Sequence, residues 1–269
     1  MMHDLADIVA GTHRWLRYEQ PFRYVVATEV FQPHIYKAME EEFTGWLERG
    51  VNDLPSGPDT VFSRAMGSYD AYGYNFTQDR AGAFDVLLSP AWCTLLARLF
   101  GVNATHHVNL GLHHHLPGSR SGWPHSDLAP GWFADDPPHP DHFTLSDHRV
   151  NYHTGRIAGS EPQAVVEEVR AVAALIYLAN EDWQPGDGGE TALFAGQRGD
   201  HQQVATVPPV NNSLLAFECT PFSYHTFLSN TRNTRNSVVM WLHRPKAEVV
   251  DRWSNRPIVY WDSGTGEAS

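Results

Sequence analysis

Thr105–Asp127, with the sequence THHVNLGLHHHLPGSRSGWPHSD, marks a change of pattern along the chain. Val108, Leu110 and Leu112 alternate with polar residues or glycine, and this period of two predicts a β-strand. A proline–glycine pair then predicts a turn. Helical patterns precede this stretch and strand patterns follow it. We therefore expect an α+β protein that is mainly β.

The part before residue 105 contains most of the helical signals. Residues 4–19 and 33–48 carry apolar residues at helical spacing, and residues 22–26 have the composition of a short strand. A further helix is predicted over residues 90–100, where Ser89 supplies an N-cap and a glycine follows the last turn. These elements predict an N-terminal support for a strand-rich core.

The part after residue 105 contains many short strand signals. Residues 171–178 form an apolar run of the length of a buried strand. Further strands are predicted over 190–194, 203–207, 213–218, 222–227 and 236–243, with Gly, Pro and Asn between them. Helices followed by many short strands favour a barrel or jelly-roll core.

Residues 128–169 interrupt this rhythm. They are rich in Pro, Asp and His and show little periodicity, so we interpret them as a lid-like insertion. We predict one domain over 1–269. Its parts are an N-terminal support (1–104), a core (105–245) and a C-terminal tail (246–269).

Composition narrows the class of partner. The 269 residues include 19 basic and 31 acidic residues, a formal net charge of −12 without a basic run, which disfavours nucleic acid. No stretch approaches the roughly 20 apolar residues of a membrane helix. The first residues lack the pattern of a signal peptide, and the two cysteines cannot form a disulfide framework. We therefore expect a cytoplasmic protein without a membrane or nucleic-acid partner.

The chemistry-bearing pattern is a His-x-Asp pair. His125 and Asp127 lie two residues apart, so an extended backbone points both side chains to one face. A site with two histidines and one carboxylate is typical of mononuclear non-heme Fe(II). His225, 98 residues after Asp127, is the candidate third ligand. His139 and Asp141 form a competing pair, but they lie in the Pro-rich segment, where no sheet would hold them rigidly.

The arginine that follows His225 predicts a contact with an anion. Arg235 comes ten residues after His225 and begins a predicted strand. A planar guanidinium pairs with a carboxylate through two hydrogen bonds. The pattern therefore suits a dicarboxylate cosubstrate that chelates a metal at one end and meets Arg235 at the other.

At this point the sequence resembles the Fe(II)/2-oxoglutarate-dependent oxygenases of the prolyl-4-hydroxylase-like branch, over about residues 20–245. The motifs that carry the resemblance follow one another in the order of that branch. They are Phe22–Val26, the 33–48 helix, Leu116-Pro117-Gly118, Trp123–Asp127, Tyr177–Trp183, Gly188-Gly189-Glu190, Ser213–Phe217, His225 and Arg235-x-Ser237.

The resemblance implies a double-stranded β-helix, cupin-like core with flanking N-terminal helices. It implies Fe(II) held by His125, Asp127 and His225, and O2 as the oxidant. It further implies 2-oxoglutarate bound with the help of Arg235, Ser237 and His115, although the branch often has Tyr at the position of His115. Halogenating relatives lack the carboxylate of the metal site, so Asp127 favours hydroxylation. Gly188-Gly189-Glu190 is interpreted as a tight turn into a strand.

The expected substrate is a small molecule, such as an amino acid or a natural-product intermediate, enclosed by the insertion. Candidate substrate contacts are Trp123, Arg149, Tyr152, Arg156 and Trp241. Three alternatives stay open: a peptidyl hydroxylase, a cupin metalloenzyme that does not use 2-oxoglutarate, and a non-catalytic binding jelly roll. The oligomeric state and the position oxidised are not predicted.

Overall fold

The computed structural model of the chain describes residues 4–53, 62–64, 70–77, 81–159, 163–196 and 201–260. The helices within these ranges are α1 (Leu5–Ile8), α2 (Pro33–Leu47), α3 (Pro90–Phe100) and α4 (Lys246–Trp253), with a 3-10 helix at Gly82–Leu88. The strands are β1 (Arg14–Tyr18), β2 (Tyr24–Thr28), β3 (Val51–Asn52), β4 (Phe62–Ser63), β5 (Tyr72–Asn75), β6 (His107–His115), β7 (Pro130–Ala134), β8 (Thr144–Leu145), β9 (Val165–Tyr177), β10 (Thr191–Ala195), β11 (Gln202–Val207), β12 (Ser213–Glu218), β13 (His225–Phe227) and β14 (Arg235–Pro245).

Two sheets organise the described residues. The larger has the order β1-β2-β12-β9-β14-β6-β5-β4-β3, with β7 paired to β9 and β8 paired to β6. The smaller has the order β11-β10-β13. Strands dominate, which confirms the prediction of a mainly β protein with a jelly-roll type core.

The helices cover one face of the large sheet. Alternate residues of β6, among them Val108, Leu110 and Leu112, are fully buried there with residues of α2 and α3. The cap of α3 follows the sequence prediction, since the Ser89 side chain accepts from the Trp92 backbone N–H and Gly101 ends the helix at φ 67°. The helices thus bury the apolar residues on this face of the large sheet.

The opposite face of the large sheet looks towards the small sheet. Leu175 and Tyr177 of β9 pack there with Leu193 of β10 and Phe217 of β12. Because side chains alternate along a strand, Arg235, Ser237 and Trp241 of β14 share this inner face. The side chains of Arg235, Ser237 and Trp241 therefore lie between the two sheets.

The prediction of a helix over residues 4–19 is wrong in its second half. Only Leu5–Ile8 is helical, and Arg14–Tyr18 pairs with β2 as the edge strand of the large sheet. Most of the strand is exposed. A helix here would have no neighbouring surface on which to bury its apolar residues. The edge of β2, in contrast, offers unpaired backbone groups for hydrogen bonds.

Residues 128–169 also differ from the sequence interpretation at both ends. β7 lies inside this segment and pairs with β9, and β9 begins at Val165 instead of 171. The Pro-Gly start of β7 hid the strand from propensity arguments, because these residues are depleted in strands. The parts outside the longer strands are residues 135–143 and 146–159, with 163–164 before β9.

The described part of the C-terminal tail packs on the core. Val249 of α4 and Ile258 are buried with Leu128, and the Val259 N–H donates to the Leu128 carbonyl at 2.9 Å. Within the described ranges no single helix is long and apolar enough to cross a membrane. The bent pair Gly82–Leu88 and Pro90–Phe100 reaches that length and composition only together.

Candidate active site

Two backbone hydrogen bonds bring the predicted ligands together. The His125 N–H donates to the His225 carbonyl at 3.1 Å, and the His225 N–H donates to the His125 carbonyl at 3.0 Å. This antiparallel bridge lies beside β13 and outside the longer pairings of the sheets. It fixes two imidazoles 4.5 Å apart between ring centroids.

The donor atoms of the three predicted ligands converge. The Nε2 atom of His125 is 3.8 Å from Oδ1 of Asp127, and Nε2 of His225 is 3.6 Å from Oδ2. One ligand atom from each residue lies within 4.8 Å of the other two. Among the described residues this is the one cluster of three or more His, Cys, Asp or Glu side chains with that spacing.

The hydrogen bonds of the imidazoles orient them for a metal. Nδ1 of His125 lies 2.9 Å from the Trp123 carbonyl, and Nδ1 of His225 lies 3.1 Å from the Ser223 carbonyl. A carbonyl only accepts, so each Nδ1 carries the proton and each Nε2 keeps a lone pair. Burial lowers the pKa of His225 to about 4, which keeps this lone pair available at neutral pH.

Asp127 is buried and receives one donor on each oxygen. Arg170 donates to Oδ1 at 3.3 Å, and the Trp241 indole N–H donates to Oδ2 at 2.7 Å. Burial by itself raises the pKa of Asp127, but the neighbouring His225, Arg170 and His125 outweigh it and lower the pKa to about 2. The carboxylate is therefore ionised at neutral pH.

A second polar pocket surrounds Arg235, which is 2% exposed. Its guanidinium donates to Ser237 Oγ at 2.9 Å and to Thr191 Oγ1 at 3.3 Å. It also lies 5.2 Å from the ring centroid of Tyr177. Within the described ranges no carboxylate pairs with it, and its Nε atom is buried without a hydrogen-bond partner. A buried cation in this state is suited to binding an anionic ligand.

His115 completes the wall of this pocket. It is the cross-strand partner of Arg235 and stacks on Phe227 at 3.9 Å between ring centroids. His113 lies on the same face of β6, and burial together with the charge of Arg235 lowers its pKa to about 3. His114 points to the opposite face and hydrogen-bonds Asn236 at 2.6 Å. The three consecutive histidines thus face alternate sides of β6.

The turn before β10 positions this pocket. Gly188 and Gly189 adopt φ values of 79° and 82°, and a Cβ atom at Gly188 would lie 2.9 Å from Asn230 Cα. The backbone here approaches its neighbour too closely for a side chain. The turn places Thr191 against Arg235, which accounts for the two glycines of the Gly-Gly-Glu motif.

A cavity of about 450 Å³ is linked to the metal-ligand cluster through Tyr152, which lines it and accepts a hydrogen bond from Arg170, a donor to Asp127. Tyr152 and Arg156 line it from the 146–158 segment, and Asn109 lines it from β6. Asn109 is the cross-strand partner of Trp241, and Tyr152 accepts from Arg170, so both residues that hold Asp127 contact the cavity wall. The four residues of the metal and guanidinium sites do not themselves line it.

The other predicted contacts lie in different places. Arg149 is held by Asp147 at 2.6 Å and by Gln163 at 3.1 Å, and it does not line the cavity. Trp123 supplies the carbonyl that holds His125. Trp241 holds Asp127. The competing pair of His139 and Asp141 is exposed, and it belongs to no cluster of three metal-ligand residues among those described.

Sequence reasoning missed Arg170 and Thr191. Arg170 is a single cation in the run Val169-Arg170-Ala171-Val172, and a lone charge inside an apolar strand is the signal that could have marked it. Thr191 directly follows the Gly-Gly-Glu motif, but a threonine in a strand carries no functional signal of its own.

Comparisons with known proteins agree with this geometry. Residues 137–243 match the family model of the 2OG-Fe(II) oxygenase superfamily. This range includes His225 and Arg235, whereas His125 and Asp127 precede it. No curated protein sequence matches the chain.

Solved structures share the fold at low sequence identity. The chain is similar to a prolyl-4-hydroxylase from Pseudomonas putida, with 20% identity, a TM-score of 0.50, and coverage of 87% of this chain and 94% of the other. It is also similar to a prolyl hydroxylase from Trichoplax adhaerens in complex with a hypoxia inducible factor peptide fragment. There the identity is 15%, the TM-score is 0.50, and the coverage is 84% and 86%.

Proposed function

We propose that this chain is a 2-oxoglutarate-dependent dioxygenase of the 2OG-Fe(II) oxygenase superfamily, whose family model matches residues 137–243. We propose that His125, Asp127 and His225 bind Fe(II) and that Arg235 binds the far carboxylate of 2-oxoglutarate. The observation that carries the proposal is the joint presence of a three-ligand cluster and a buried guanidinium without a described acidic partner, on the same inner face of the sheets.

The ligand cluster has the donor set that Fe(II) requires. Two imidazoles direct Nε2 towards one ionised carboxylate, which lies between them. Two histidines and one carboxylate leave positions open on the metal for a cosubstrate and oxygen. The backbone carbonyls of Trp123 and Ser223 keep the imidazoles in the tautomer that a metal needs.

The Arg235 pocket has the donor set that a carboxylate requires. The guanidinium carries the charge, and the hydroxyls of Ser237 and Thr191 hold it in a fixed plane. Two parallel N–H donors give both affinity and orientation to a bound carboxylate. His115 and Phe227 close one wall and limit access of water. When bound, iron, 2-oxoglutarate and O2 supply the oxidising chemistry, with release of succinate and carbon dioxide.

We propose that the substrate is a small molecule with an anionic group, such as an amino acid, whose C–H bond is hydroxylated. A cavity of about 450 Å³ suits a ligand of that size. Asp147 lines it, but Arg149 neutralises this carboxylate at 2.6 Å. Arg156 lines it without an ion pair to any described residue, so it remains to pair with an anionic substrate group.

A peptidyl substrate is the second candidate. Two of the solved structures that share this fold are prolyl hydroxylases, and one of them is in complex with a peptide fragment. Ile157 on the cavity rim is 42% exposed, which would suit contact with an extended chain outside the cavity. A side chain of such a peptide would then enter the cavity that is proposed for the small-molecule substrate.

An anaerobic titration tests the metal and cosubstrate sites. Fe(II) and then 2-oxoglutarate are added to the apoprotein, and we expect a metal-to-ligand charge-transfer absorption that requires both. Loss of this absorption in His225→Ala, with the secondary structure intact, is the expected control. An absorption that is absent in the wild type, or unchanged in the variant, would refute the assignment.

Succinate release then separates the two substrate classes. A panel of free amino acids and a panel of proline-containing peptides are compared at equal concentration. Stimulation by the amino acids supports the small-molecule proposal, and stimulation by the peptides alone overturns it.

A further inference from the structure

We propose that Arg170 and Tyr152 act as a positioning pair that fixes the orientation of Asp127 in the ligand cluster. The inference rests on the proposed function, because it concerns the carboxylate of the proposed iron site. It assigns a role to two residues that, among the described contacts, hydrogen-bond neither to Arg235 nor to the imidazoles of His125 and His225. It also explains why an arginine is buried on this inner face of the sheets.

Asp127 is held from two sides that also hold each other. Arg170 donates to one carboxylate oxygen at 3.3 Å, and Trp241 donates to the other at 2.7 Å. The guanidinium carbon of Arg170 lies 3.9 Å from the centroid of the Trp241 ring. A stacked guanidinium and indole restrict each other's rotation, so the two donors fix the plane of the carboxylate.

Tyr152 holds the far side of Arg170. The Nε–H of Arg170 donates to the Tyr152 hydroxyl at 3.1 Å, and this hydroxyl lies 2.8 Å from Nε2 of His243. His243 is fully buried, and burial lowers its pKa to about 3, so its ring is neutral. Its Nδ1 lies 3.3 Å from a carbonyl and carries the proton, so Nε2 accepts the hydrogen bond from Tyr152.

The ring of Tyr152 is itself held in place by the backbone of β7. A Cβ atom at Gly131 would lie 2.9 Å from Tyr152 Cζ and 2.9 Å from His243 Nε2. Only glycine allows β7 to approach this closely. The chain of contacts therefore runs from β7 through Tyr152 and Arg170 to Asp127, with hydrogen bonds at each side-chain step.

The orientation of the carboxylate matters because its two oxygens face different imidazoles. Oδ1 lies on the His125 side and Oδ2 on the His225 side. A rotation of the carboxylate would change which lone pairs point into the space between the imidazoles. Residues that orient metal ligands typically change metal affinity by about 10- to 100-fold when they are replaced.

The test is Co(II) binding to the apoprotein, followed by its visible absorption and by calorimetry. Arg170→Lys keeps the charge but loses the planar fork, and Tyr152→Phe removes one oxygen atom while the ring packing stays. We expect Co(II) affinity to fall about tenfold in Arg170→Lys and by a smaller factor in Tyr152→Phe. We also expect the Co(II) spectrum to change shape in both, because the ligand geometry changes.

Matched controls lie away from the cluster. Arg23→Lys weakens another arginine–carboxylate pair, since Arg23 donates to Glu218 at 3.1 Å. Tyr260→Phe removes the hydroxyl of a half-buried tyrosine, which donates to Glu167 at 2.9 Å. Both controls should bind Co(II) with wild-type affinity and spectrum, even if their unfolding free energy falls.

Wild-type affinity and spectrum in both test variants would overturn the positioning role. If Arg170→Lys does not fold, Tyr152→Phe alone decides, because it keeps the ring and the charge. His225→Ala in the same assay separates this inference from the proposed function. If His225→Ala binds Co(II) like the wild type, the iron site itself is refuted. If it loses binding while Tyr152→Phe and Arg170→Lys do not, only the positioning role fails.

Discussion

The main chains of His125 and His225 hydrogen-bond to each other in both directions, at 3.1 and 3.0 Å. The two residues are 100 positions apart in the sequence, yet this bridge sets the distance between their main chains and brings their imidazoles to one place. Asp127 then follows His125 by two residues and joins the same cluster. The site is thus built mainly by the backbone, which gives it rigidity before a metal binds.

Replacement of Asp127 should affect metal binding and stability together. Asp127→Asn removes the charge and replaces one carboxylate oxygen by an NH2 group. This group donates, so it no longer accepts the hydrogen bond from Arg170 or Trp241. We expect Mn(II) affinity, measured by calorimetry, to fall at least about 100-fold. The unfolding free energy of the apoprotein should fall by about 3 kcal/mol, because Arg170 is left as a buried charge.

Asp141→Asn is the matched control for this change. Asp141 belongs to the second His-x-Asp sequence of the chain, at His139, but it is exposed. Its replacement should leave Mn(II) affinity and stability unchanged. Equal losses in the two variants would show that the structure selects the wrong pair.

Replacement of Arg235 should act on the cosubstrate and spare the metal. Arg235→Gln removes the cation that faces the proposed carboxylate, while Ser237 and Thr191 stay in place. We expect 2-oxoglutarate affinity, followed by the anaerobic absorption titration, to fall about 30-fold or more, since loss of a buried charge partner costs about 2 kcal/mol or more. Co(II) affinity should remain within about twofold of the wild type.

Arg232→Gln provides the control on the same segment, because Arg232 is exposed. It should bind 2-oxoglutarate like the wild type. A normal 2-oxoglutarate titration in Arg235→Gln would show that Arg235 does not bind the cosubstrate.

The sequence predicted the cluster residues because short motifs carry them. A His-x-Asp pair after a turn, and an arginine at the start of a strand, are readable without knowledge of the fold. The edge strand β1 was missed because its pairing with β2 depends on distant chain. Arg170 was missed for the same reason: its partners Asp127, Tyr152 and Trp241 meet only in three dimensions.

The stability of the apoprotein should decrease as the pH falls below 6.5. Burial lowers the pKa of His225 to about 4 and that of His243 to about 3. Between pH 6.5 and 4 the unfolded chain binds protons at these residues and the folded chain does not, so the free energy of unfolding falls with decreasing pH. Each group contributes about 1.4 kcal/mol per pH unit at most.

Asp127 does not reverse this trend. Its pKa is lowered to about 2, so it stabilises the fold above the unfolded value and loses this effect only as the pH falls through about 2. Urea unfolding at pH 7, 6 and 5 in the presence of a chelator measures the slope. His243→Gln should show a smaller slope than the wild type, and an equal slope would contradict the assignment.

The charge of the cavity should decide which substrates are accepted. Arg156 is the cavity-lining cation without an ion pair to a described residue, whereas the Asp147 carboxylate is neutralised by Arg149. Arg156→Gln should therefore raise the KM of an anionic substrate about tenfold and leave kcat nearly unchanged, because Arg156 contacts neither Asp127 nor Arg235 among the described contacts.

Arg156→Lys keeps the charge and should recover most of the affinity. Affinity for 2-oxoglutarate should be the same in all three proteins, which separates the cavity from the Arg235 pocket. An unchanged KM in Arg156→Gln for every stimulating carboxylate would show that the substrate's anionic group does not bind at this residue.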